Sequence, residues 1–260
     1  MDQATFVFHD TLNDFLPRGV RNKPVIRAFG WRASVKDMIE SRGVPHCEIE
    51  LLAGDGVSVG FGYTVRPGDR IDAYPDFEAV PLTEKVRLRA PLEGRPCFLL
   101  DIHLGRTAAY LRMLGFDTLW RNDYGDEELA RVSHEEGRIL LTRDIGLLKR
   151  SLVTYGYFVR GTTPRHHMAE IMNRFGLYDS VALFRRCMKC NGLLERVEKD
   201  AIRAQLPENA ARWFEEFHRC AACGQVYWKG SHFEKMQALI ADIFSMREPG
   251  KAGYSAPDGS

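Results

Sequence analysis

The stretch RILLTRDIGLLKR, from Arg138 to Arg150, predicts the fold of the middle of this chain. It begins as a short apolar run, which is typical of a buried strand, and turns polar at Thr142, Arg143 and Asp144. The residues that follow, IGLLKR, have the pattern of a short helix. A buried strand followed at once by a helix is the unit from which parallel sheets are built. The stretch therefore predicts a parallel sheet with an aspartate at the end of one strand.

The alternation of strand and helix continues on both sides of this stretch, over residues 96–184. The expected strands read CFLLD, FDTLW, RILLTRD and YGYFVRG, and the expected helices read HLGRTAAYLRMLG, DEELARVSHEEG, IGLLKRS and PRHHMAEIMNRFG. Asp126 and Pro164 stand at helix starts. Gly115 and Gly137 stand where two of the helices should end. Because strands separated by single helices form parallel sheets with right-handed crossovers, we predict an α/β sandwich here.

The N-terminal part of the chain, residues 1–78, has a different order of elements. ATFVFHD and KPVIRAF read as strands, and SVKDMIESRG reads as a helix capped by Ser34 and ended by Gly43. HCEIELLAGDGVSV reads as two short strands around a Gly-Asp-Gly turn, and GDRIDAYP closes the unit. Two strands, a helix and further strands are the order of a β-grasp domain. An α+β domain is therefore predicted to precede the α/β domain.

The remaining segments connect or follow these two domains. Residues 79–95 hold Pro81 and Pro91 among mixed charges and are predicted to be a linker. Residues 185–247 contain two CxxC pairs and then SHFEKMQALIADIFSM, which has the pattern of an amphipathic helix. Residues 248–260 are small, polar and rich in proline and glycine, and this composition predicts a disordered tail.

The bulk composition is that of a globular protein, with 45% hydrophobic and 27% charged residues. The net charge of +1 argues neither for nor against nucleic-acid binding. No apolar run is long enough to span a bilayer, and the N-terminus does not resemble a signal peptide. We therefore expect a cytoplasmic protein without a membrane partner.

Three aspartates are predicted to meet at one edge of the parallel sheet. Asp101 ends the strand CFLLD, Asp144 ends RILLTRD, and Asp126 begins the helix after FDTLW. Because parallel strands end at the same edge, these carboxylates should converge there, with Asp123 and Glu127 nearby. Two carboxylates about 5 Å apart repel by roughly 3 kcal/mol at an effective dielectric of about 20. Such a group is stable only if it is protonated or holds a cation.

These three aspartates, called the acidic group below, have the donors of a metal site. Oxygen ligands favour Mg²⁺ or Mn²⁺ over Zn²⁺, and those ions activate water and neutralise charge at a phosphodiester. The acidic group is therefore predicted to be the catalytic site of a metal-dependent nuclease. Each residue also has a structural explanation, since Asp126 is a good helix N-cap, Asp101 suits an Asx-turn, and Asp144 could pair with Arg143 or cap IGLLKR.

Six cysteines occur as two CxxC pairs and two single residues. In a reducing compartment such pairs are typical of a Cys₄ site that holds structural Zn²⁺, and a glycine follows each pair closely, as a zinc-knuckle turn requires. A redox dithiol would need one pair alone, and an iron–sulfur cluster is the other alternative. Cys47 and Cys97 have strand-like surroundings and are predicted to be core residues. The predicted zinc ligands are Cys187, Cys190, Cys220 and Cys223.

Basic and aromatic side chains are expected to contact the phosphates and bases of RNA. Arginines and lysines follow the predicted strand ends, and two aromatic residues beside a lysine follow the second CxxC pair. The structural alternatives are a solvated rim for the basic residues and packing against the ribbon for the aromatic ones. The predicted RNA-binding residues are Arg106, Arg112, Arg143, Lys149, Arg150, Arg160, Tyr227, Trp228 and Lys229.

The N-terminal sequence resembles a known family. ASVKDMIESRGVPHCEIELL followed by VSVGFGYTVRPGDRIDAYP resembles the ubiquitin-like sulfur carriers, and more closely the ubiquitin-like module that precedes a bacterial RNase domain. Sulfur carriers act through a free C-terminal Gly-Gly, and this chain contains no Gly-Gly. The resemblance therefore implies a binding or scaffold role, with a protein or the ribosome as the partner.

The central sequence resembles a nuclease family. CFLLDIHLGRTAAYLRMLGFDTLW and DEELARVSHEEGRILLTRDIGLLKR are similar to the RNase domain named after the C-terminal region of the nematode mut-seven exonuclease, over about residues 96–235. That family belongs to the PIN-like nucleases and carries a C-terminal ribbon with a YWKGSH-type sequence. The resemblance implies that Asp101, Asp126 and Asp144 are the metal-binding acids. PIN nucleases commonly carry a fourth acid, which is not evident here, so the number of metal ions stays open.

The sequence as a whole predicts a Mg²⁺- or Mn²⁺-dependent ribonuclease of the endonuclease type, with a zinc ribbon that aids RNA binding. The alternative is a non-catalytic RNA- or ribosome-binding adaptor that retains the nuclease fold. A sulfur-transfer protein is disfavoured by the missing Gly-Gly. The identity of the RNA stays open.

Overall fold

The structure is a computed structural model that describes residues 1–30, 32–92 and 94–248. Contacts between residues divide the chain into two compact units. Unit 1 consists of Met1–Pro91, Ser133–Gly137 and Asp144–Phe158, and unit 2 consists of Leu92–Val132, Arg138–Arg143 and Val159–Ser260. The predicted disordered tail lies outside the described residues, apart from Glu248.

Unit 1 is built on a mixed sheet of five strands. The strands are β1 (Asp2–Phe8), β2 (Val25–Phe29), β3 (Leu51–Gly54), β4 (Val57–Ser58) and β5 (Arg70–Tyr74). Their order in the sheet is β2–β1–β5–β3–β4. Strand β1 runs parallel to β5, and the other neighbouring pairs are antiparallel. This arrangement confirms the β-grasp prediction for the N-terminal region.

Helix α1 (Val35–Glu40) covers this sheet. The Ser34 hydroxyl accepts a hydrogen bond from the backbone N–H of Asp37 at 3.1 Å, so the predicted cap is present. Gly43 follows the helix with a φ of +102°, a conformation that favours glycine. Short 3₁₀ helices span Asp10–Phe15, Arg18–Val20 and His46–Glu48.

Residues 76–91 contain no helix or strand, but they are attached to unit 1. The Lys85 ammonium donates to the carbonyl of Phe77 at 2.9 Å. The Arg89 guanidinium donates to the carbonyl of Ile49 at 3.0 Å. The predicted linker is therefore held against the β-grasp domain over most of its length, because its basic side chains find acceptors there.

The centre of unit 2 is a parallel sheet. Its strands are β6 (Phe98–Leu100), β7 (Thr118–Leu119) and β8 (Ile139–Thr142). Strand β6 lies between the other two and runs parallel to both. Every residue of β6 and β8 is buried, as expected for a parallel sheet covered on both faces. The backbone N–H of Val159, which follows β9 (Gly156–Phe158) in the chain, donates to the carbonyl of Thr142 at 2.8 Å. The predicted parallel α/β domain is confirmed.

The predicted helices of the α/β region are present. They are α2 (Gly105–Met113), α3 (Asp126–Glu136), α4 (Ile145–Leu148) and α5 (Pro164–Arg174). Helix α2 packs against α5. Pro164 is the first residue of α5, as predicted, and Thr163 caps that helix. Further 3₁₀ helices span Ile102–Leu104 and Tyr178–Ser180.

The C-terminal part of unit 2 contains a three-stranded antiparallel sheet. Its strands are β10 (Leu194–Val197), β11 (Phe217–Cys220) and β12 (Val226–Trp228). Three short helices that the sequence did not predict connect β10 to β11, namely α6 (Lys199–Ile202), the 3₁₀ helix Arg203–Gln205 and α7 (Glu208–Trp213). The predicted C-terminal helix is α8 (Ser231–Ser245), which packs against α5. Within the described ranges, no helix has the length and apolar character needed to cross a bilayer.

Candidate functional site

Asp101 directly follows β6 and is 6% exposed, so its carboxylate is buried at the carboxyl edge of the parallel sheet. One oxygen, Oδ1, accepts a hydrogen bond from the backbone N–H of His103 at 2.9 Å. The other, Oδ2, accepts from the Thr142 hydroxyl and from the backbone N–H of Arg143 at 3.1 Å. These donors are neutral, and no lysine or arginine side chain of the described residues pairs with Asp101. A buried carboxylate without a cationic partner is a good candidate ligand for a metal ion.

Asp144 begins the short helix that follows β8. Its Oδ1 accepts hydrogen bonds from the backbone N–H groups of Gly146 at 2.6 Å and Leu147 at 3.2 Å, which makes it the N-cap of α4. The residue is exposed, unlike Asp101. The structural explanation from the sequence, a helix cap, therefore applies to Asp144.

Asp126 is exposed and is the first residue of α3 rather than its N-cap. Nearby, Asp123 is paired with Arg121 at 2.8 Å, and Glu127 is exposed in the first turn of the helix. The three aspartates of the acidic group are divided between the two units, with Asp101 and Asp126 in unit 2 and Asp144 in unit 1. Their convergence on a metal stays a prediction.

Arg143 links the end of β8 to the turn after β9. Its Nη1 donates to the carbonyls of Val159 at 3.1 Å, of Arg160 at 3.4 Å, and of Gly161. The Glu170 carboxylate accepts from the backbone N–H groups of Arg160 and Gly161, both at 2.9 Å. Arg143 therefore binds the carbonyls of this turn, and Glu170 binds its amides. Arg143 was predicted to bind RNA, but the structure gives its guanidinium this intramolecular role.

Two arginines of α2 differ in their surroundings, although both were predicted to bind RNA. Arg106 is exposed, and in the described ranges its guanidinium forms no hydrogen bond or ion pair with another residue. Arg112 is 5% exposed, and burial lowers its pKa. Its guanidinium donates to the carbonyls of Thr118 at 2.9 Å and of Met188 and Lys189 at 3.2 Å. The prediction that Arg112 faces RNA is wrong, because three backbone carbonyls use its donors.

Three further basic residues that were predicted to bind RNA, Lys149, Arg150 and Arg160, are half-buried. The Lys149 ammonium donates to the carbonyl of Glu40 at 2.9 Å, within unit 1. The Arg160 guanidinium lies 4.0 Å from the Glu170 carboxylate. The placement of Lys149 does not support the predicted contact with RNA, whereas Arg150 and Arg160 stay predictions.

The four cysteines of the CxxC pairs come together in unit 2. Their Sγ atoms all lie within 4.8 Å of one another. The Sγ atom of Cys187 is 3.7 Å from that of Cys223, and the Sγ atom of Cys190 is 3.4 Å from that of Cys220. Four thiolates at this spacing suit the tetrahedral coordination of zinc, so this cysteine cluster could bind Zn²⁺. Four protein ligands leave no open position, which is typical of a structural site.

Tyr227 supports the cysteine cluster. Its hydroxyl lies 3.1 Å from the Sγ atom of Cys187. Burial alone would raise the pKa of the Cys187 thiol, but the hydrogen bonds from Tyr227 and from the backbone N–H groups of Cys190 and Lys189 lower it to about 7. A thiol with a lowered pKa is a better metal ligand, because the thiolate is the form that binds. The predicted stacking of Tyr227 on RNA is not supported by this placement.

The two residues after Tyr227 are also engaged within the ribbon. Trp228 is half-buried, with its ring centroid 6.4 Å from that of Phe217. The Lys229 ammonium pairs with the Glu216 carboxylate at 2.9 Å, and both side chains are about half exposed, at 52% and 54%. Packing, the structural alternative from the sequence, therefore applies to Trp228. Lys229 stays on the surface, where its predicted contact with RNA is not tested.

The first CxxC pair is attached to the amino-terminal edge of the parallel sheet. Asp117 immediately precedes β7, and its carboxylate pairs with Arg138 and Arg186, both at 2.7 Å. The side-chain amide of Asn191 donates to the same carboxylate at 2.9 Å. Because Arg186 and Asn191 flank the CxxC pair, Asp117 ties that pair to the sheet. Asp101 follows the carboxyl end of β6, so the first CxxC pair and Asp101 lie at opposite edges.

Sequence reasoning missed Asp117, Glu170 and Asn191. Asp117 and Glu170 carry no signal of their own, since an acid in a loop or in the middle of a helix is usually a surface residue. Asn191 gave a weak signal, because it directly follows a CxxC pair, and it has a φ of +69°, which asparagine tolerates better than most residues.

Comparison with known proteins agrees with both resemblances. A family model described as Mut7-C RNAse domain matches residues 96–240. A second model, described as Mut7-C ubiquitin, matches residues 1–81. No curated protein and no solved structure gives a significant match. The first matched range contains the parallel sheet, the acidic group and the cysteine cluster, and the second contains the β-grasp sheet.

Proposed function

The chain belongs to the Mut7-C RNase family, and from this premise we propose that it is a ribonuclease that requires Mg²⁺ or Mn²⁺ and cuts RNA internally. The observation that carries the proposal is the buried Asp101 carboxylate, which accepts hydrogen bonds from neutral donors alone. It lies at the carboxyl edge of a parallel sheet, where α/β proteins bind their ligands. The proposed metal ligands are Asp101, Asp126 and Asp144.

The donors of the acidic group suit a hard cation, because all are carboxylate oxygens. When bound, such an ion supplies an activated water and neutralises the negative charge that builds up on the phosphodiester. The protein orients Asp101 for this task through the N–H groups of His103 and Arg143 and the Thr142 hydroxyl. None of these donors cancels the charge of the carboxylate, which stays available to attract a cation.

The proposed RNA contacts are basic residues whose side chains are exposed or half-buried. Arg106 is the strongest, since it is exposed on α2, the first α-helix after Asp101. Arg150, Arg160 and Lys229 are further candidates. The cysteine cluster is proposed to hold Zn²⁺ and to stabilise the ribbon, and the β-grasp domain is proposed to bind a protein or ribosomal partner.

A non-catalytic RNA-binding adaptor is the alternative function. The observation that favours it is that Asp101 and Asp144 each accept hydrogen bonds that begin a helix, so both acids have a sufficient structural role. A retained nuclease fold would keep these caps even if no metal bound.

An RNA cleavage assay distinguishes the two functions. Purified zinc-loaded full-length protein is incubated with structured and with single-stranded RNA, in Mn²⁺ and in EDTA, beside the variant Asp101→Asn. The ribonuclease proposal predicts cleavage in Mn²⁺, none in EDTA, and a loss of at least about 100-fold in the variant. RNA binding without cleavage, identical in the variant, establishes the adaptor instead. Fragments that carry new ends inside the RNA distinguish internal from terminal cutting.

A further inference from the structure

Residues 144–158, called the Asp144 segment below, contain helix α4 and strand β9. In sequence they follow β8, well inside the range that matches the RNase family. In the structure they belong to unit 1, together with the β-grasp domain. The β-grasp domain therefore contacts a part of the nuclease sequence that begins with a proposed metal ligand.

Two polar contacts join the β-grasp domain to the Asp144 segment, one just after α4 and one at the last residue of the segment. The Lys149 ammonium, one residue past α4, donates to the carbonyl of Glu40 at 2.9 Å. The Glu48 carboxylate, only 1% exposed, accepts the backbone N–H of Phe158 at 2.5 Å. A hydrogen bond from a backbone amide to a buried carboxylate is among the stronger kinds, so it fixes the end of the segment.

Close packing joins the same two parts of the chain. The Cys47 thiol donates to the carbonyl of Leu148 at 3.4 Å. Gly156 lies so near that a Cβ there would be 2.9 Å from the Sγ atom of Cys47, so a larger residue does not fit without a shift. The rings of Phe15 and Phe158 meet edge to face with centroids 5.6 Å apart. Buried thiol, glycine and ring contacts of this kind define a single close-packed position for the segment.

Asp144 stands at the start of this held segment. Its carboxylate caps α4 through Gly146 and Leu147, so the position of its side chain depends on the position of α4. Leu148, the last residue of α4, is the one whose carbonyl contacts Cys47. A helix this short has little stability of its own, and its placement therefore depends on tertiary contacts.

We infer that the ubiquitin-like β-grasp domain positions Asp144 for catalysis, by holding the Asp144 segment through Glu48, Cys47 and the carbonyl of Glu40. The inference rests on the proposed function, in which Asp144 is a metal ligand. In this role Glu48 is a positioning residue, since it acts through the Phe158 amide and contacts neither metal nor RNA. The domain would then be an internal part of the nuclease in addition to any partner that it binds.

The test compares three full-length variants with the wild type. Glu48→Ala removes the acceptor of the Phe158 amide, Glu48→Gln keeps an acceptor oxygen, and Lys149→Met removes the donor to Glu40 while it keeps the apolar stem. We expect Glu48→Ala and Lys149→Met to lower kcat by about tenfold to 100-fold with KM unchanged, because small misplacements of a catalytic group have effects of that size. Glu48→Gln should restore most of the rate. Hydrogen exchange of the Asp144 segment should be faster in the two impaired variants.

Asp72→Ala is the matched control. Asp72 is another buried carboxylate of the β-grasp domain, 8% exposed, and it pairs with His9 and Arg70 rather than with the Asp144 segment. This variant should leave kcat and the exchange of the segment unchanged, at a temperature where it remains folded. If Asp72→Ala lowers kcat as much as Glu48→Ala, the effect is general destabilisation and the inference fails.

Three further outcomes are decisive. Wild-type kcat and wild-type exchange in both Glu48→Ala and Lys149→Met would overturn the inference. A rise in KM at constant kcat in Lys149→Met would also overturn it, because that result marks Lys149 as an RNA contact. If the wild-type protein cuts no RNA at all, the proposed function fails. Unchanged kcat in active enzyme, by contrast, defeats the positioning role alone.

Discussion

The backbone N–H of Arg143 donates a hydrogen bond to the carboxylate of Asp101 at 3.1 Å. The two residues are far apart in sequence, and each follows a buried strand of the same parallel sheet. The Thr142 hydroxyl binds the same carboxylate oxygen. The end of β8 therefore orients the acid that follows β6, one residue before the chain reaches Asp144.

Thr142→Val should weaken metal binding without disturbing the fold. The change removes the hydroxyl that orients Asp101 and keeps the branched shape of the buried side chain. Loss of a group that orients a metal ligand typically lowers metal affinity by about 10- to 100-fold, and we expect the Mn²⁺ dissociation constant to rise by that amount. Isothermal titration calorimetry with Mn²⁺ measures this dissociation constant. Thr118→Val is the control, because Thr118 is equally buried but begins β7 at the opposite edge, and an equal loss there would contradict the account.

Arg106→Met and Arg112→Met should have opposite consequences. Arg106 is exposed, so its loss should leave stability unchanged and reduce the slope of log affinity for single-stranded RNA against log salt by about 0.7. Arg112 is buried and donates to three carbonyls, so its loss should reduce the free energy of unfolding by at least about 2 kcal/mol. Urea unfolding and RNA binding at several salt concentrations measure the two effects. A stable Arg112→Met protein with weakened RNA binding would show that Arg112 contacts RNA, as the sequence predicted.

The variant Cys220→Ser should not bind zinc, and its ribbon should unfold. A Cys₄ zinc site contributes about 10–16 kcal/mol of binding free energy, which is folding free energy for a small lobe. The first CxxC pair is tied to the parallel sheet through Asp117, so we also expect the thermal unfolding temperature of unit 2 to fall. Metal analysis and calorimetry are the measurements. Cys97→Ser changes a half-buried cysteine outside the cluster and should keep its zinc, whereas zinc retained by Cys220→Ser would disprove the ribbon assignment.

Because of Asp117, the stability of unit 2 should decrease at acidic pH. Burial alone would raise the pKa of Asp117, but the hydrogen bonds from Asn191 and Arg138 and the charge of Arg186 hold it below its ordinary value. A lowered pKa stabilises the folded state above the unfolded pKa of about 3.9, and this stabilisation disappears as the pH falls through the folded pKa.

The variant Asp117→Asn should be less stable than the wild type at pH 7, by about 1–3 kcal/mol. The difference between the two proteins should shrink as the pH falls below about 4. Urea unfolding at each pH measures it, and zinc content is determined in the same samples because protons also compete for the cysteines. A stability difference that is the same at pH 7 and in acid would show that the carboxylate charge does not contribute.

The patterns that predicted the fold correctly are those set by local chemistry. Ser34 caps its helix and Pro164 begins one because capping and proline geometry depend on neighbouring residues. The apolar runs that became β6 and β8 are buried on both faces, so they contain hardly any polar residue that could have obscured them. The two CxxC pairs predicted the cysteine cluster because two thiols on one turn need two more to complete a zinc site.

The sequence could not predict which charged residues would be used inside the protein. Arg106 and Arg112 lie on the same helix, and only the tertiary fold decides that the second meets the carbonyls of Met188 and Lys189. Lys149 looked like a surface cation, yet its acceptor, Glu40, is far away in sequence. The grouping of residues 144–158 with the β-grasp domain depends on the same kind of distant contact.

Direct measurement of Mn²⁺ binding to the zinc-loaded full-length protein tests the acidic group best. Titration by electron paramagnetic resonance is applied to the wild type and to Asp101→Asn, Asp126→Asn and Asp144→Asn, each of which removes one charge and keeps the side-chain size. The account predicts saturable binding by the wild type and a large loss of affinity in every variant, while the bound zinc is unchanged. Three variants that bind Mn²⁺ as the wild type does, or a wild type that binds none, would contradict it.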